Sequence, residues 1–83
     1  MTREEIFTKV VEIVRPFVKN QEALDSVDEN TNILQDLKVN SARLVDIILD
    51  FEDAFNIEVE DEDADAVNTV GDAVGLIAAK VPS

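Results

Sequence analysis

Apolar side chains recur at helical spacing in three separate stretches of the chain, and the polar residues between them mark where each begins and stops. Ile6, Val10, Ile13, Val14 and Phe17 fall on one helical face, because residues three or four positions apart are neighbours on a helix surface. Thr2 and Glu5 have the spacing of a capping box, in which each side chain satisfies a backbone N–H near the other. A first helix is therefore predicted from about Arg3 to about Lys19. Pro16 lies inside that pattern, where it removes a backbone donor and should kink or loosen the last turn.

The second stretch, Ser41 to Phe55, carries two apolar stripes. With about 100° between successive residues, Leu44, Ile47, Ile48, Phe51 and Phe55 share one arc, the predicted core face of an amphipathic helix. Ala42, Val45 and Leu49 form a narrower stripe on the far side, bordered by Asp46, Asp50 and Asp53. Apolar residues in register beside a row of acids suggest a docking face, the alternative being that neighbouring segments bury one or two of them. The third stretch opens with the weaker capping pair Thr69 and Asp72. It runs through Val70, Ala73, Val74, Ile77 and Val81, predicting a last helix that ends near Pro82.

Between the first two helices, residues 20–40 are polar and rich in turn formers, yet Val27, Ile33, Leu34 and Leu37 are spread through them. A structureless loop of that length is unusual in a compact domain, so a packed crossover with a short helical turn is predicted. The acidic run from Glu58 to Asp65 is predicted to contain a short third helix. The fold class that follows is all-α: one domain over residues 1–83, a small bundle of three main helices plus one short helix, with a long first crossover.

Composition narrows the function. The 83 residues hold 19 acidic and 7 basic side chains for a formal charge of −12, a field that repels nucleic-acid backbones and anionic lipid surfaces. Hydrophobic residues make up 46% of the chain, enough for a core. Cysteine and histidine are both absent, so no disulfide or thiolate metal site staples the fold, and the commonest general base and zinc ligand are missing. A non-enzyme is expected. No apolar run follows the opening residues or reaches spanning length, so the expected setting is cytoplasmic, without membrane insertion and without nucleic acid.

Ser41 stands at the start of the second helix, where its first reading is a helix N-cap. The positive end of the helix dipole also favours an anion there, so a phosphodiester on that hydroxyl would be stabilised where it formed. Nothing in its sequence surroundings supplies a base, and another enzyme would have to modify it. Asp61, Asp63, Asp65 and Asp72 echo the spacing of a calcium loop, but Ala66 stands where that loop needs glycine.

The segment Asp36-Leu37-Lys38-Val39-Asn40-Ser41-Ala42 resembles a degenerate form of the Asp-Leu-Gly-x-Asp-Ser-Leu motif of acyl carrier proteins. Leu44 to Asp63 is similar to that family's acidic recognition helix and the segment after it, and Thr69 to Val74 to the start of its last helix. The likeness runs from about Val27 to Ile77. Lys38 replaces the glycine, Asn40 the aspartate, Ala42 the leucine, and Arg43 a position that is commonly acidic. With these departures, the resemblance implies a specialised member of the family.

The resemblance further implies that Ser41 carries 4′-phosphopantetheine, donated from coenzyme A by a phosphopantetheinyl transferase, and that acyl intermediates ride on it as thioesters in fatty acid, polyketide or specialised lipid biosynthesis. Leu44, Ile48, Phe51, Phe55, Ile57 and Val67 would form the interior that opens for an acyl chain. Ala42, Arg43, Val45, Asp46, Leu49, Asp50 and Asp53 would meet acyl-loading and acyl-transferring enzymes with basic docking patches, the carrier being a monomer. Within the same class an aminoacyl or peptidyl carrier also fits the residues, and from different classes so do a calcium-responsive helical module and an acidic adaptor without the prosthetic group that docks a basic partner through Ala42, Val45 and Leu49.

Overall fold

A computed structural model describes residues 2–81. Thr2 is extended (φ −81°, ψ 162°), and its hydroxyl accepts from Glu5 N at 3.1 Å while its own N–H donates to Glu5 Oε1 at 3.2 Å, completing the capping box. Donation from the Thr2 N–H first, and from the Thr2 hydroxyl second, holds the Glu5 carboxyl below its ordinary pKa. Helix α1 runs from Arg3 to Val14, five residues short of the Lys19 expected from periodicity. Pro16 is the reason: it cannot donate to the carbonyl one turn back, and residues Arg15–Phe17 tighten into a 3-10 turn.

The predicted crossover is a packed one. It begins with a second 3-10 turn, Gln21–Ser26, and is then held at both ends. At one end Val18 and Val39 form an antiparallel bridge, and Asn20 N donates to Leu37 O at 3.2 Å. At the other end, three backbone hydrogen bonds join it to the entry of the last helix. Ile33 N donates to Asn68 O at 2.9 Å, Val70 N to Thr31 O at 2.9 Å, and Gly71 N to Glu29 O at 2.8 Å. This seam explains Gly71: a Cβ built there would lie 2.7 Å from the Glu29 carbonyl oxygen. Ile33 and Leu37 are fully buried, while Val27 and Leu34 are half-buried against the same core.

Helix α2 (Leu44–Phe55) is preceded by a 3-10 turn, Ser41–Arg43, and closes on Asn56, whose left-handed backbone (φ 54°) is a common helix stop. Helix α3 is short, Asp61–Asp65, and α4 spans Val70–Lys80. The expected inclusion of Val81 in that last helix is corrected, since Val81 is extended (φ −76°, ψ 143°), and Pro82 lies outside the described residues. Asp72 caps α4 by accepting from Thr69 N at 3.0 Å and Asn68 N at 3.1 Å, and those donors hold its carboxyl below the ordinary range.

The architecture is the all-α bundle the pattern predicts, with α1, α2 and α4 enclosing one core. Ile6, Val10, Val14, Ile47, Phe51, Val74 and Ile77 fill its centre, joined by Leu37 from the crossover. Burial of a side chain of this size contributes about 1.5–3 kcal/mol, which is how an 83-residue chain without a disulfide holds together. Leu44 departs from the expected core stripe. It is only partly buried, because it opens α2 on the edge of a groove rather than in the closed core.

Candidate functional site

The local geometry around Ser41 begins two residues upstream of its cap. Lys38 has φ 58°, the left-handed region that glycine occupies without strain and that costs another residue about 1–2 kcal/mol. The position where the resembled motif has glycine is thus one whose backbone asks for it. Asn40 is extended (φ −66°, ψ 127°), and its Oδ1 accepts from Ala42 N at 2.9 Å while its carbonyl accepts from Arg43 N at 2.8 Å.

These contacts correct the expectation for Ser41. Asn40 provides the cap, a role asparagine fills as well as serine, and Ser41 is the first residue inside the turn. Among the described residues the Ser41 hydroxyl makes no hydrogen bond, and the residue is exposed. The Ala42 and Arg43 N–H groups are already taken by Asn40. An anion on Ser41 would therefore be favoured by the helix dipole rather than by free donors beside it.

Beside Ser41 a groove of about 240 Å³ runs between α2 and α3. From α2 it is lined by Leu44, Val45, Ile48, Leu49 and Glu52, and from the α3 side by Val59, Asp61, Ala64 and Asp65. The residues expected as an acyl pocket are divided by this geometry. Leu44 and Ile48 line the groove, whereas Phe51, Phe55, Ile57 and Val67 are buried in the closed core. Val45 and Leu49, expected on a separate docking face, form the outer lip of the same groove, 65% and 53% exposed. Val59 and Ala64 were not singled out from sequence, although each is an apolar residue set within the acidic run and could have been noticed for that. The groove floor is steadied by Glu52, whose carboxylate accepts from Val59 N at 3.1 Å.

Asp46, Asp50 and Asp53 of α2 are not among the residues lining the groove, and Asp46 is held by Arg43 at 3.1 Å. Asp63 of α3 pairs with Lys80 of α4 at 3.4 Å, and Asp72 is committed to its cap. Asp61, Asp63, Asp65 and Asp72 are therefore not brought together, since α3 is helical where a calcium loop is coiled; among the described residues no group of three or more acids converges on one point. No helix among the described residues is long and apolar enough to cross a membrane.

Known proteins are similar to this chain in both sequence and fold. The family model described as "Phosphopantetheine attachment site" matches residues 8–77. The chain is 42% identical over 77 residues to the acyl carrier protein of Lactobacillus acidophilus, covering 93% of this chain and 94% of that protein. It is 39% identical over 80 residues to the acyl carrier protein of Thermotoga maritima, covering 96% of each. The solved structure of the acyl carrier protein from Enterococcus faecalis superposes with a TM-score of 0.78 at 38% identity, covering 95% of this chain and 98% of that one. The chain belongs to the acyl carrier protein family, with a domain built for phosphopantetheine attachment. It is a carrier of acyl groups and not an enzyme.

Proposed function

We propose that Ser41 is the residue that carries the phosphopantetheine arm, and that the groove between α2 and α3 receives the first part of the cargo. The observation that carries this reading is the freedom of the Ser41 hydroxyl: Asn40 takes over the capping role, and Ser41 is an exposed residue at the edge of the groove with no hydrogen bond from its side chain among the described residues. In the attachment step the Ser41 oxygen forms the bond to phosphorus and loses its proton, while coenzyme A is cleaved at its pyrophosphate and the adenosine bisphosphate half leaves. The base for that step belongs to the transferase. The terminal thiol of the bound group supplies the thioester chemistry.

The chain's own residues position and shelter. Leu44, Ile48, Val59 and Ala64 offer an apolar lining to an acyl chain, and Phe51, Phe55, Ile57 and Val67 form the deeper wall that would have to part for a longer one. Ala42, Val45 and Leu49, flanked by Arg43, Asp46, Asp50 and Asp53, face outward for the transferase and for acyl-loading and acyl-transferring enzymes. The carrier acts as a monomer in the cytoplasm, and the departures at Lys38, Asn40, Ala42 and Arg43 suit a specialised pathway rather than general fatty acid synthesis. The test is incubation with coenzyme A and a broad-specificity phosphopantetheinyl transferase. One group should be added to wild type and none to Ser41→Ala; addition to Ser41→Ala, or no addition to wild type with several transferases, would refute the assignment.

A further inference from the structure

The outer surface of α2 is electrically divided along its length. At about 100° and 1.5 Å per residue, Arg43, Asp46, Asp50 and Asp53 make one stripe beside the exposed apolar pair Val45 and Leu49. At the Ser41 end, Arg43 and Asp46 are paired at 3.1 Å and both remain about half-exposed or more. Further along, Asp50 and Asp53 make no ion pair among the described residues. The near end thus presents an accessible cation beside one acid, with no net charge, and the net negative charge is concentrated in the far half.

Stability does not account for Arg43. It is the N-cap residue of α2, where the positive end of the dipole disfavours a cation, and its exposed pairing with Asp46 contributes little in return. A residue set against the local rule beside the working serine points to recognition. We propose that α2 is a charge-split docking face, fitted to a partner protein that presents a carboxylate opposite Arg43 and basic side chains about 10–15 Å further along, opposite Asp50 and Asp53. Val45 and Leu49 meet an apolar spot between the two. This rests on the assignment of Ser41, since it sets which end of the helix faces the partner's active site. A second copy of the chain, laid antiparallel, could also satisfy the pattern, but a charge of −12 on each copy opposes it.

The test uses the full chain and a broad-specificity phosphopantetheinyl transferase chosen for a uniformly basic carrier-facing surface, with coenzyme A as donor and mass as the readout. Arg43→Glu makes the face uniformly acidic and should raise kcat/KM by roughly threefold to tenfold at low salt, through KM, with the gain fading as salt is added. Arg43→Gln, which keeps helix propensity, should give a smaller gain in the same direction. Asp50→Lys should lower kcat/KM by at least as much as Arg43→Glu raises it. Rates for Arg43→Glu within twofold of wild type at low salt, or slower, would overturn the split face while leaving Ser41 as the attachment residue. Modification of no variant at all would overturn both. Sedimentation at low salt should show a monomer; a dimer dispersed by Arg43→Glu would assign the face to a second copy instead.

Discussion

Two regions of this bundle are built to opposite rules. Along the seam where the crossover meets the start of α4, backbone is bonded to backbone, Gly71 leaves no room for a side chain, and Leu37 and Ile33 are sealed in the core. By contrast, the Ser41 turn, the outer lip of α2 and the short helix α3 leave a free hydroxyl, two exposed large apolar side chains and an open groove. One region is tightly packed and the other is left open at the surface. Substitutions on the seam should cost folding and leave docking intact; those on the α2 face should do the reverse.

The largest effect is expected from Leu37→Ala, which empties a fully buried site in the crossover. A loss of about 2–5 kcal/mol is expected from the deleted packing, measurable by urea unfolding. A loss below about 1 kcal/mol would show the crossover to be a loose connection. Next, Gly71→Ala should cost about 1–3 kcal/mol, because the new Cβ meets backbone that cannot swing aside. Gly75→Ala, in the same helix with nothing within 4 Å of its Cβ, should instead stabilise by about 0.5–1 kcal/mol. Equal effects of the two glycine changes would break the claim that the seam is tight.

A smaller effect concerns acid. Asp72, and at the start of α1 Glu5, have folded-state pKa values below their unfolded ones, so the stability they add is fully present above the ordinary carboxylate range and is lost as pH falls through the folded pKa. The difference in melting temperature between wild type and Asp72→Asn should therefore hold near neutral pH and shrink below about pH 4. A difference constant down to about pH 3 would place the cap's value outside its charge. The smallest effect on folding should come from the pair Val45→Ser and Leu49→Ser. Stability should stay within about 0.5 kcal/mol of wild type, while the transferase rate falls, which separates the docking face from the structural core.

Much of this was legible before the structure. The capping pairs Thr2–Glu5 and Thr69–Asp72, and the core stripe Ile47, Ile48, Phe51 and Phe55, follow from local rules that act within one helix. The outer stripe Val45 and Leu49 was readable because large apolar side chains set in register among acids gain nothing from water and are useful only once a partner covers them. What periodicity missed depends on neighbours from elsewhere in the chain. Leu44 has the right angle for the core but opens onto the groove and is only partly buried, and Ser41 has the right residue type for a cap but is preceded by Asn40, which reaches the N–H first. The groove joins α2 to Val59 and Ala64 through the fold of the acidic run, a meeting that no spacing within α2 announces. Lys38 was visible only as a departure from the motif, and its positive φ gives the physical reason for the glycine it replaces.

Everything proposed for the α2 face depends on a hydroxyl left free by its neighbour's cap being the point of attachment. The direct way to find out is to purify the chain from its own host, measure the intact mass, and map any added group by fragmenting the peptide that spans residues 39–43. A phosphopantetheine group is expected on Ser41 in at least part of the population and on no other residue. A chain of unmodified mass that also resists modification by a transferase, or a group carried on a different residue, would contradict the assignment.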